Sequence, residues 1–140
     1  MSAYKEVLTQ FKDGKILKAA LEAVGNGHGA SLEGKVEMFE EAQNLYGYQS
    51  DLREQKANIV IRKEHVGPAA NDVGFEKVDG LFVARISDYD SKGNKCHSRW
   101  LGLVRQEYAT LRTMAKARRQ GYKVSRTKTP EGKIKLVCRR

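Results

Sequence analysis

The sequence predicts an α+β fold: a mostly antiparallel sheet with two main helices packed on one face. Two stretches, residues 14–24 and 98–120, repeat apolar residues at helical spacing. Six others, near residues 4–11, 57–62, 73–78, 81–87, 122–127 and 133–139, are short and have strand character. Two of the joins between neighbouring strands, Asp79-Gly80 and Thr129-Pro130-Glu131-Gly132, are tight-turn sequences. The resulting order β–α–β–β–β–α–β–β resembles a ferredoxin-like arrangement with an extra hairpin.

The opening strand runs from Tyr4 to Phe11, with Val7, Thr9 and Phe11 on one side. Asp13 is placed to cap the helix that follows. Ile16, Leu17, Ala20, Leu21 and Val24 then form its apolar stripe, and Gly25 ends it. Gly25 to Gly29 reads as a helix stop and turn. A phosphate-cradling loop would follow a strand and open a helix, and this one does neither.

Residues 33–46 read two ways. Val36, Phe39, Ala42 and Tyr46 suit a helix, whereas Val36 to Phe39 suits a strand. Ala57 to Arg62 is the clearest strand, being compact and rich in β-branched residues. Ile59 and Ile61 face one way, and Val60 lies among polar neighbours on the other, so this strand is expected to be central and covered on both sides. Val73–Val78 and Leu81–Ile86 make a hairpin about Asp79-Gly80, with Phe75, Phe82, Ala84 and Ile86 directed to the core. Asp88 to His97 is a polar loop.

In the long helix, Trp100, Val104, Tyr108, Leu111 and Ala115 form the buried stripe. Arg105, Arg112, Lys116 and Arg119 form a second stripe about a quarter turn away. Gly121 stops the helix. In the last hairpin Tyr122, Val124, Ile134, Leu136 and Cys138 fall on an apolar face, and Lys123, Lys133, Lys135 and Arg139 on the other.

Charge is distributed in blocks. Residues 92–140 hold 15 Lys and Arg against 2 Asp and Glu, whereas residues 1–91 hold 11 against 15. The chain's net charge of +9 therefore lies in its last third. Its 140 residues, 40% hydrophobic and 31% charged, fit one globular domain over 1–140 rather than a disordered chain. No apolar run approaches a membrane span and none follows a charged start, so no membrane partner and a cytoplasmic location are expected.

Cysteines 96 and 138 are expected to be free thiols, Cys138 within the core. Lys92, Lys95 and Arg99 would lower the pKa of Cys96, but no third group orients a nucleophile and base. Asp88 to Gly93 starts like a calcium loop and fails at Lys92 and Arg99, where the loop needs oxygen ligands. Cys96 and His97 are too close in sequence for a zinc motif. No metal, cofactor or catalytic residue is therefore assigned. Asn71 and Asp72 read as an Asx-turn, with Gly74 allowing close backbone packing.

Several strings taken together carry a resemblance. They include Gly47-Tyr48-Gln49 with Asp51, Ala57 to Arg62, Asn71 to Phe75, Ile86-Ser87-Asp88, Trp100-Leu101, Gln106 to Ala109, Gln120 to Val124 and Glu131 to Val137. The chain resembles the small plastid hypothetical reading-frame family, also found in cyanobacteria, other bacteria and phages, and classed as a domain of unknown function. Ala3 stands where the family has His and Ser50 where it has Gly, and residues 26–46 match no family string. The resemblance implies a compact α+β protein and no assigned reaction. Family genes sometimes lie near ATPases of the AAA type, which implies an adaptor role.

Three functions follow as expectations. The first is a non-catalytic protein that binds nucleic acid or another polyanion through Arg105, Arg112, Lys116, Arg119, Lys123, Lys133 and Lys135. The second is an adaptor for an acidic protein partner, for another copy of the chain or for an ATPase. The third is an enzyme, for which no set of roles can be assigned.

Overall fold

The computed structural model describes residues 3–88, 90 and 98–140. The strands are β1 (Tyr4–Leu8), β2 (Val36–Tyr46), β3 (Leu52–Ile61), β4 (Val73–Val78), β5 (Leu81–Ser87), β6 (Lys123–Lys128) and β7 (Ile134–Arg139). The helices are α1 (Gly14–Val24), α2 (Lys63–Val66) and α3 (Ser98–Arg119). The fold is thus α+β with an antiparallel main sheet, as the patterning predicts. Residues 36–46 resolve the open choice in favour of strand.

The ferredoxin-like expectation is corrected. The main sheet has five strands in the order β1-β5-β4-β3-β2, and every pairing is antiparallel. β2 to β5 form a continuous meander. The connection through α1 carries the chain from one edge of the sheet to the other, so three strands separate β1 from β2. A split βαβ unit leaves room for one. The terminal hairpin is also not part of this sheet: among the described residues β6 and β7 pair only with each other.

The core lies between one sheet face and the helices. Leu17, Ala20 and Leu21 of α1 and Trp100, Leu101, Val104 and Tyr108 of α3 meet Ile59, Ile61, Phe75 and Phe82 there. Asp13 caps α1 through its Oδ1, which accepts from the N–H groups of Lys15 and Ile16 at 3.0 and 3.1 Å. Two polar contacts fix α3. Trp100 Nε1 donates to the Gly25 carbonyl at 2.7 Å, and the Tyr108 hydroxyl accepts from the N–H groups of Lys12 and Asp13, each at 3.0 Å. The glycine loop after α1 is therefore a seat for Trp100.

β3 is central, between β2 and β4, and Ile59 and Val60 on its two faces are both fully buried. At Asp79-Gly80 both residues have positive φ, 52° and 84°, as a two-residue hairpin turn requires. On the second sheet face Leu45, Ala57 and Val60 form a smaller cluster. There Arg85 pairs with Glu6 and with Glu76 across the strands. Cys138 is exposed rather than in the core. It sits opposite Val124 in the two-stranded hairpin.

Gly74 is where two strands come too close for a side chain. A Cβ there would lie 2.4 Å from Ala57 Cβ and 3.0 Å from Leu45 Cδ2. Gly74→Ala is expected to destabilise the protein by about 1–3 kcal/mol through overpacking. Ala57→Gly in the same chain should recover part of the loss, read by denaturant unfolding as a non-additive pair.

Candidate functional site

β2 and β3 lose register where the sheet meets α1. Met38 pairs with Ile59 and Gln43 with Ala57, so residues 39–42 stand opposite Asn58 alone. The Asn58 side chain occupies the gap. Its Nδ2 donates to the carbonyls of Phe39 and Glu40, at 3.4 and 3.1 Å, and its Oδ1 accepts from the Lys77 N–H at 2.9 Å. Such bulges bend a strand and re-aim its side chains.

This bulge forms one wall of a groove of about 890 Å³. The start of α1 and the flank of α3 that carries Tyr108, Arg112 and Arg119 form the other walls. Five cations line it (Lys12, Lys15, Lys77, Arg112 and Arg119) against two carboxylates, Asp13 and Glu40. Asp13 is already engaged as the cap of α1. A second groove of about 500 Å³ adjoins the first at Tyr108 and Arg112, and adds Arg105 and Lys116. The four stripe residues of α3 therefore line two contiguous grooves. They span 14 residues, on the order of 21 Å of helix.

All four stripe residues are exposed, and none has a salt bridge among the described residues. Other arginines differ. Arg62 is held by Glu37 and Asp72, Arg85 by Glu6 and Glu76, and Arg126 by both oxygens of Glu107 at 2.6 Å. The Glu107 carboxylate also raises the Arg126 pKa.

The Arg126–Glu107 pair places the hairpin. At about 100° per residue, Glu107 lies roughly 120–180° around α3 from Arg105, Arg112, Lys116 and Arg119. The hairpin thus docks on the flank away from the stripe. Lys123 and Lys135 lie on its outer face with Arg139, and Lys133 immediately precedes β7; all are exposed. The structure brings the four helix cations together and leaves Lys123, Lys133 and Lys135 on a separate surface. It adds Lys12, Lys15 and Lys77, which come from the net-acidic part of the chain and carry no local signal of a site.

A second cluster surrounds Asn71 and Asp72, both buried. The Asp72 carboxylate accepts from the N–H groups of Tyr46 and Lys63, each at 2.8 Å, and from Arg62 at 3.0 Å. Its main-chain carbonyl accepts the Tyr4 hydroxyl at 2.6 Å. Asn71 donates to Ser87 Oγ and accepts from the Tyr48 N–H. These are long-range ties between strands and loops rather than a local Asx-turn. The close-packing role expected of Gly74 holds. Asp90 is fully buried against Ser87 and Asn71. Tyr89 and residues 91–97, which include Cys96, His97 and the rest of the calcium-like string, lie outside the described residues.

A family model described as "Protein of unknown function (DUF1257)" matches residues 32–137. The chain belongs to that family. The matched range takes in β2 and its bulge and begins after β1 and α1. No curated protein and no solved structure matches the chain.

Burial of Tyr4 raises its pKa well above the ordinary phenol value, and nearby Asp72 adds to the rise while Arg53 opposes it. The folded state therefore keeps a proton that the unfolded chain releases above pH ~10. Stability should be at its full value below that pH and fall as pH rises beyond it. Tyr4→Phe should make the alkaline fall shallower and cost about 1 kcal/mol at neutral pH through the lost hydrogen bond, measured by urea unfolding across pH.

Proposed function

We propose that the protein is a non-catalytic nucleic-acid-binding protein whose interface is the α3 stripe together with the cationic rim of the two grooves. One observation carries this reading: Arg105, Arg112, Lys116 and Arg119 are exposed along one flank of α3 with no salt bridge among the described residues, while Arg62, Arg85 and Arg126 are bound to carboxylates. Cations held in solvent along one line repel one another, and a linear polyanion relieves that repulsion by exchanging its counterions for them. Phosphate contacts of this kind position a strand without reading its sequence.

Lys12, Lys15 and Lys77 extend the surface across the groove from Arg112 and Arg119. The hairpin cations Lys123, Lys133 and Lys135 face elsewhere and have a lesser part. Among the described residues no helix is long and apolar enough to cross a membrane.

With four to seven phosphates neutralised, log K should fall with log salt at a slope of about −3 to −6. Replacing Arg112 and Lys116 together by Gln should reduce that slope by about 2 and weaken binding to every sequence alike. Lys123→Gln with Lys135→Gln should leave the slope unchanged. Fluorescence anisotropy over a salt series reads all three. Binding indifferent to salt, or lost only with the hairpin pair, rejects the proposal.

A further inference from the structure

We infer that the nucleic acid is single-stranded, and that one of its bases enters the larger groove while its phosphates stay on the rim; this rests on the reading above. The groove has two chemistries. Its cations are long, exposed side chains at the margin, whereas Met38, on its floor, is an exposed apolar side chain. Gly14, the first residue of α1, lies directly over that floor. A Cβ on Gly14 would be 3.3 Å from Phe82 Cζ, 3.6 Å from Met38 Sδ and 3.8 Å from Ile59 Cδ1. A Cβ at these distances would already touch all three side chains, so the Gly14 main chain closes over Ile59 and Phe82, which are buried, and Met38 is left exposed beside it.

Met38 remains 45% exposed on β2, the edge strand that packs against α1. Residues 39–42 leave the ladder immediately after Met38, and β2 is an edge strand, so Met38 stands at an open margin of the sheet. An apolar floor does nothing for a phosphate, which loses hydration there. It suits the flat face of a base, which gains burial whatever its identity. In a duplex those faces are stacked on one another and only base edges are reachable. A single strand can turn one base inward while its backbone follows the cations.

Glu40 fits the same assignment. It lines the groove from the bulge and has no salt bridge among the described residues, although cations surround it. A carboxylate on that wall repels phosphate and accepts from the amino group of a base. It directs the base, not the backbone, into the cavity. The volume of about 890 Å³ falls within the range of ordinary ligand sites and leaves room for a nucleotide.

The test compares single-stranded DNA, single-stranded RNA and blunt duplex DNA of equal length with the full chain at one low salt concentration. Both single strands should bind at least ~10-fold tighter than the duplex. Met38→Ser should lower single-strand affinity ~10-fold, leave duplex affinity and the salt slope unchanged, and melt near the parent. Met38→Ile, which keeps the apolar surface, should retain affinity and guards against misfolding of the serine variant. Duplex binding as tight as single-strand binding, with the expected slope, overturns this inference and leaves the cationic interface standing. Met38→Ser weakening both forms equally also overturns it. Failure of all three nucleic acids to bind rejects both.

Discussion

The rotational setting of α3 is the constraint on which the rest of the molecule depends. One turn holds Trp100, whose indole N–H reaches the carbonyl at the end of α1. Two turns on, Tyr108 accepts two main-chain N–H groups from the segment that leads into α1. A helix held at two points about 12 Å apart along its axis cannot roll. Its apolar stripe then meets the sheet, and the stripe of cations a quarter turn away has only the groove mouths to face. Rolling the helix by one residue position would carry Arg112 and Lys116 away from the grooves and Tyr108 off its partners.

The same setting accounts for the hairpin. A two-stranded sheet is marginal on its own. This one is joined to α3 by the doubly hydrogen-bonded Arg126–Glu107 pair on the flank opposite the stripe. Glu107 is nearly buried, so its charge is matched locally and not lent to the groove. Carboxylates elsewhere act likewise. Asp72 holds Arg62 while joining β2, β3 and the start of α2, and Glu6 and Glu76 hold Arg85 on the second sheet face. Acidic residues thus neutralise the arginines that build the fold. The cations of the groove are among those left over, and their number exceeds that of the carboxylates beside them.

Both main helices were legible in the sequence because their signals are local: Asp13 and Gly25 bound α1, and Gly121 ends α3. The turn at Asp79-Gly80 was legible for the same reason. β2 was not, because its bulge breaks the alternation that would have marked it. Between Val36, in the main core, and Leu45, in the cluster on the second face, no residue of β2 is buried. The early part of β3, from Leu52 to Lys56, has a polar sequence and is held by pairing with β2 rather than by propensity. Sheet order depends on contacts between distant segments, so counting elements suggested a ferredoxin-like order that the pairing does not follow. The α3 stripe could be read from spacing. Its partners Lys12, Lys15 and Lys77 could not, since only the fold brings them across the groove, and the helical period of α3 gave no hint that the hairpin would dock on the opposite flank.

Arginine side-chain NMR during titration with a single-stranded oligonucleotide tests the central claim most directly, since each Nε–H group reports its own surroundings. The account predicts progressive shifts for Arg105, Arg112 and Arg119 while Arg62, Arg85 and Arg126 stay at their free positions. Shifts confined to Arg126, Arg139 and Arg140, with the α3 signals unmoved, would contradict it.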